Sequence, residues 1–128
     1  MSIYRLAVVA VIISASGAVE AHAGNSVSVL QFGTTNVSFV SQTGTTTNNS
    51  VALQFGTSNQ ASTMQAGAIS PLTINTSVIG QGGTTNIASS GQVGGSNSGL
   101  IGQIGLSNAA GVSQLGLLNG STILQSAP

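Results

Sequence analysis

Short runs rich in β-branched residues recur along this chain, as in Val27-Ser28-Val29-Leu30, Val37-Ser38-Phe39-Val40, Thr76-Ser77-Val78-Ile79 and Ser121-Thr122-Ile123-Leu124. Runs of this kind favour extended backbone. An Asn stands ahead of each and a Gln closes it, always six residues after the Asn. The frame Asn-x-small-x-x-x-Gln-x-Gly then recurs nine times, at 25–31, 36–42, 48–54, 59–65, 75–81, 86–92, 97–103, 108–114 and 119–125, with Ala127 in place of the last Gly. An even offset places Asn and Gln on the same face of a strand, because side chains alternate with period two. On a helix the same offset would leave them well apart around the axis.

Between frames, Gly-x-x-Asn supplies a turn, since Gly and Asn tolerate the positive φ that tight turns require. The turns starting at Gly33, Gly56, Gly83 and Gly105 are uniform in length. The alternate ones carry the insertions, one residue before Asn48 and five, including Pro71, before Asn75. The repeating unit is therefore strand-turn-strand, 22 residues long, and nine strands make four and a half units.

One hairpin buries too little to be stable alone, whereas stacked units cover one another. The pattern predicts an all-β fold, a β-solenoid with two facing parallel sheets and an amyloid-forming character. In its first unit Asn25, Val27, Val29 and Gln31 point inward against Asn36, Ser38, Val40 and Gln42. Leu30, Phe32, Leu53, Phe55, Leu100, Leu106 and Leu124 point outward. Phe32 and Phe55 fall one unit apart at the same frame position, which predicts stacking between layers.

Buried amides cost free energy unless they are paired, and identical amides stacked at strand spacing pair with one another. The register predicts one Gln ladder through Gln31, Gln54, Gln81, Gln103 and Gln125, and another through Gln42, Gln65, Gln92 and Gln114. Asn36, Asn59, Asn86, Asn97, Asn108 and Asn119 are the corresponding Asn candidates for self-assembly by stacking. The end layers then expose unpaired backbone and amide groups, a template for another copy.

Charge sharpens this picture. Met1–Arg5, the apolar run Leu6–Ile13 and the small-x-small Ala21-His22-Ala23 have the layout of a secretory signal peptide. That predicts residues 1–23 as a leader and residues 24–128 as one repeat domain. Arg5, Glu20 and His22 all lie in the leader, and the chain contains no Lys, Asp or Cys. The exported part thus has no side chain suited to acid-base chemistry, metal ligation or phosphate neutralisation. The expectation is a protein that is not an enzyme, with no cofactor, no metal and no nucleic-acid partner. No charged gatekeeper protects the ends either. Four Asn-x-Ser sequons follow from Ser at the small position of the frame, and the Gly-rich pieces near Gly82 and Gly94 lack the Lys of a phosphate loop.

The frame resembles the curlin repeat, found in the subunits of bacterial curli amyloid fibres. The family pattern Gln-x-Gly-x-x-Asn-x-Ala-x-x-x-Gln is met in full by Gln54–Gln65, Gln81–Gln92 and Gln103–Gln114. Ser38 and Ser121 replace Ala in two further copies, and Gly99 in a third. The resemblance implies an extracellular structural subunit, exported by its signal peptide, that polymerises with itself into cell-surface fibres for adhesion and biofilm matrix. It also implies other curlin subunits including a nucleator, an outer-membrane secretion channel and periplasmic accessory proteins as partners. Major subunits of the family carry an N-terminal segment ahead of the repeats and some charged turns, whereas here the first repeat begins at Asn25. A minor nucleating subunit, or a monomeric solenoid such as an ice-binding protein built on Thr rows, is the alternative expectation.

Overall fold

The computed structural model describes residues 25–44, 47–67 and 74–128. The predicted leader and the joints at 45–46 and 68–73, Pro71 among them, lie outside the described residues. Within those residues the structure is all β: β1 (Ser26–Thr34), β2 (Val37–Thr43), β3 (Thr47–Thr57), β4 (Gln60–Gly67), β5 (Ile74–Thr84), β6 (Ile87–Gly105) and β7 (Ala109–Ser126).

Every pairing is parallel and joins a frame to the equivalent frame one unit on. On one face β1 pairs β3, β3 pairs β5 and β5 pairs the second half of β6, which aligns Gln31, Gln54, Gln81 and Gln103. On the other, β2 pairs β4 and β4 pairs the first half of β6, which aligns Gln42, Gln65 and Gln92. β7 then covers both halves of β6, adding Gln114 and Gln125. The chain thus climbs one layer per strand-turn-strand unit, a β-solenoid of about four turns.

Nine predicted strands appear as seven elements, because β6 and β7 each pass through a corner without interruption. Both corners have the same length, so Gly94 pairs Gly116, Ser96 pairs Leu118 and the backbone ladder continues around the bend. This makes the two faces one hydrogen-bonded sheet. The opposite corners end their strands instead, because Thr35, Ser58 and Thr85 adopt φ near 60°. A left-handed conformation costs a non-glycine residue roughly 1–2 kcal/mol. Stacking offsets part of that cost, since Ser58 N–H donates to Thr34 O at 3.0 Å and Thr85 N–H to Thr57 O at 2.9 Å.

The interior is mostly polar. Its buried apolar members are Ala52, Ala61, Ile79, Ala88, Ile101 and Val112, only two of them large, while sixteen Asn, Gln, Ser and Thr residues are buried beside them. Hydrophobic burial at roughly 25 cal/mol per Å² therefore has little large side-chain area to act on. Hydrogen bonding inside the stack carries more of the order here than in an ordinary core. The outer surface has the reverse character: Leu30, Phe32, Phe55, Leu100, Leu106 and Leu124 are exposed, with Leu53 half-buried. Phe32 and Phe55 stack as the frame predicts, with centroids 5.3 Å apart and planes 11° from parallel.

The corner glycines fix how closely layers approach. Gly83 has φ 113°, and a Cβ built on it would lie 2.1 Å from the carbonyl oxygen of Gly105 above it. Gly33, Gly56 and Gly105 repeat the arrangement in the same column. Gly80, by contrast, faces outward with nothing within 4 Å of such a Cβ. Gly83→Ala is expected to abolish the folded β signal in circular dichroism. Gly80→Ala is expected to leave it intact and stabilise the strand by about 0.5 kcal/mol. Equal tolerance at both sites would contradict the close-approach account.

Candidate functional site

The most regular chemistry in this molecule is the set of amide columns running along the solenoid axis. Alternation along each strand turns Asn and Gln inward, and the fixed register sets each above its counterpart. In the first Gln column, Gln31 Nε2 donates to Gln54 Oε1. Gln54 donates to Gln81 at 2.8 Å, Gln81 to Gln103 at 2.9 Å and Gln103 to Gln125 at 2.9 Å. In the second, Gln42 donates to Gln65 at 2.7 Å, Gln65 to Gln92 at 2.7 Å and Gln92 to Gln114 at 2.8 Å. All nine predicted glutamines are placed in continuous ladders.

The Asn columns are equally continuous. Asn59 donates to Asn36, Asn86 to Asn59 and Asn108 to Asn86, at 3.1, 3.0 and 2.9 Å. On the other face Asn119 donates to Asn97 at 2.8 Å and Asn97 to Asn75 at 3.0 Å. That column continues through residues the sequence reading left out of its ladder candidates: Asn75 donates to Asn48 at 3.0 Å and Asn48 to Asn25 at 3.1 Å. The nine-fold frame already contained the signal for them, since each sits six residues before a ladder Gln.

The two kinds of ladder have opposite polarity. Every Gln donates forward, to the unit later in sequence, whereas every Asn donates back to the earlier unit. The second amide hydrogen sets the direction. Gln54 Nε2 also donates to Val37 O at 3.1 Å, Gln65 to Asn49 O at 3.0 Å, Gln81 to Gln60 O at 2.9 Å and Gln92 to Thr76 O at 2.9 Å. Each of those carbonyls belongs to the residue after an Asn on the facing strand, so the nitrogen and not the oxygen must face it. Asn Nδ2 instead reaches the carbonyl four residues back, as in Asn36 to Phe32 O at 2.9 Å and Asn86 to Gly82 O at 3.0 Å. Gln therefore ties the two faces together across the interior, and Asn closes the corners.

Thr34, Thr57 and Thr84 form a short column at the corner edge, three layers deep. The same frame position carries Leu106 next, so the threonines do not extend as a flat row along a strand face. A shallow apolar cleft of about 560 Å³ lies on the outer surface, where Gly80, Gly82 and Gly102 present no side chains between Phe55, Ile104 and Leu124. Its lining contains no acid, base or metal-ligating histidine or cysteine. No protein-family model, curated protein or solved structure matches the chain.

The ladders have a consequence for pH. An amide does not titrate, and no side chain of residues 24–128 does so in the ordinary range. The stability of that segment is expected to be flat between about pH 4 and 7, as read from denaturant midpoints. Gln103→Glu should break this flatness. A buried carboxylate without a counter-charge has its pKa raised, and only its protonated form can donate to Gln125. The variant then keeps its stability below about pH 4, under the unfolded carboxyl value, and loses it as pH rises through the folded value. Gln103→Leu should be destabilised at every pH, by roughly 1–3 kcal/mol for each amide left unpaired. A flat profile for Gln103→Glu would contradict the closed ladder.

Proposed function

We propose that this protein is a structural subunit that polymerises end to end into extracellular amyloid fibres of the curlin type, serving cell adhesion and biofilm matrix. The single observation behind this reading is the continuity of the amide columns up to both end layers. A column of stacked amides gains one hydrogen bond with each added layer, and a second copy supplies the next layer. The end strands also present unpaired backbone groups, and neither Lys nor any other charge stands on them to oppose strand addition. β1 and β2 at one end and both halves of β7 at the other are open edges of the kind that templates pairing.

The apolar exterior supports the same reading. Leu30, Leu53 and Leu124 share one outward column and Phe32, Phe55 and Ile104 another, interrupted by Gly80, Gly82 and Gly102, so polymerisation would repeat them as broken stripes along the fibre. Such stripes suit lateral packing of fibres or attachment to surfaces. On this reading the protein reaches the cell surface by its signal peptide, a curli-type outer-membrane channel and periplasmic accessory factors, and grows on a nucleating subunit. A nucleating rank for this chain itself is compatible with the same columns.

Purified chain at micromolar concentration is expected to convert to fibres that bind thioflavin and give a meridional reflection near 4.7–4.8 Å. Persistence as soluble monomer with neither property would contradict the proposal. Thermal hysteresis in such a monomeric preparation would favour an ice-binding surface instead.

A further inference from the structure

We infer that successive copies stack head to tail with a half-turn about the fibre axis between them. The inference rests on the polymer reading above and specifies its junction. In it, β2 of an incoming copy lies on Asn119–Gln125 of the copy before, and β1 lies on Asn108–Gln114.

The first argument is the parity of the frames. The described residues hold nine, alternating between the two faces, so the first and the last lie on the same face. Stacking an identical copy without rotation would set β1 on the last strand segment. The opposite face would then lack a strand, leaving β2 about twice the ~4.8 Å strand spacing from Ala109–Gly116. A half-turn exchanges the faces and closes both gaps, because the next half-layer in sequence order falls on the face opposite the last one.

The second argument is independent of counting. Among the described residues four buried side-chain polar atoms have no hydrogen-bond partner, and two of them, Ser38 Oγ and Gln42 Oε1, belong to β2. Gln42 is only 9% exposed although it stands in the first layer of its column. Buried polar groups are normally paired, and the half-turn supplies the partner that Gln42 Oε1 lacks. Frame alignment sets Gln42 against Gln125 and Ser38 against Ser121 of the preceding copy. Gln125 continues the column in which every Gln donates forward, so its Nε2 meets the free Gln42 Oε1.

Polarity and packing agree. The late end offers Gln donors and Asn acceptors, and the early end offers Gln acceptors and Asn donors. Head-to-tail contact therefore matches all four columns, while head-to-head contact sets donor on donor and acceptor on acceptor. The half-turn also sets Val27 on Ala110, Val29 on Val112 and Val40 on Ile123, apolar on apolar. Without it, Val27 falls on Ser121.

Cysteine pairs distinguish the two junctions, since the chain has no cysteine of its own. Leu30, Ser113 and Leu124 all point outward and are exposed. With a half-turn, Leu30 of one copy lies beside Ser113 of the copy before it, and without rotation it lies beside Leu124. Neighbouring parallel strands at about 4.8 Å are within disulfide reach. Fibres of the L30C/S113C variant, oxidised gently, are expected to give covalent multimers in non-reducing denaturing gels, while L30C/L124C fibres stay monomeric. The reverse pattern would overturn the half-turn and leave the polymer reading standing. Helical reconstruction of the unmodified fibre reads the same junction without substitution. Four and a half layers per copy predict a rise of ~22 Å with rotation near a half-turn, against ~24 Å with rotation near zero for direct stacking. The second pair of values would overturn the inference, and a parent chain that forms no fibre would overturn both proposals.

Discussion

A side-chain amide carries two donor hydrogens and an acceptor oxygen, and inside a protein all three need partners if burial is not to cost several kcal/mol. Stacking identical amides at the spacing of parallel strands meets the need repeatedly. The oxygen takes a hydrogen from one neighbouring layer, one hydrogen goes to the other layer, and the remaining hydrogen is free for a backbone carbonyl. Gln54 shows the full set, accepting from Gln31 and donating to Gln81 and to Val37 O. Much else follows from keeping that arrangement in step. The six-residue interval puts Asn and Gln on one face, and the uniform unit length brings each amide above its equal. The corner glycines let the backbones approach closely enough for the column to close. A slip of one residue would turn every amide outward, so the register is held by polar groups where most sheets hold it by apolar ones.

The same geometry links the fold to the assembly proposed above. A compact core is finished when its apolar surface is covered, but a ladder of this kind has no natural last member. Its ends remain complementary to each other, with the Gln and Asn columns running in opposite senses. That opposition gives the stack a direction, and Gln42 Oε1 at the open end of its column is buried without a partner. The absence of charged side chains from residues 24–128 fits the proposed polymer, since like charges stacked at layer spacing would repel along it.

Much of this was legible in the sequence because repetition supplies its own register. Gln31, Gln42 and their successors declare their partners by spacing alone, and the Phe32–Phe55 contact follows from the same offset. Asn25, Asn48 and Asn75 were equally visible in the frame, and the insertions in the joints before Asn48 and Asn75 do not disturb their column. Other features were not encoded in spacing. The left-handed Thr35, Ser58 and Thr85 look like any polar turn residue, because their conformation is set by how a corner packs on the next layer. The continuity of β6 and β7 depends on two adjacent corners of equal length pairing through the bend, which joins two expected sheets into one. Ladder direction was also hidden, since either sense satisfies the amides. The carbonyls of Val37, Asn49, Gln60 and Thr76 choose between them.

Hydrogen exchange of the side-chain amides tests the central claim most directly. In a ¹⁵N-labelled sample, the Nε2 protons of Gln54, Gln81 and Gln92 are predicted to be protected from deuterium as strongly as the backbone amides of their strands. Gln60, whose side chain faces outward, provides the internal reference and should exchange rapidly. Exchange of the central glutamine amides at the rate of Gln60, with the backbone still protected, would show that the stack stands without its ladders and would contradict the account.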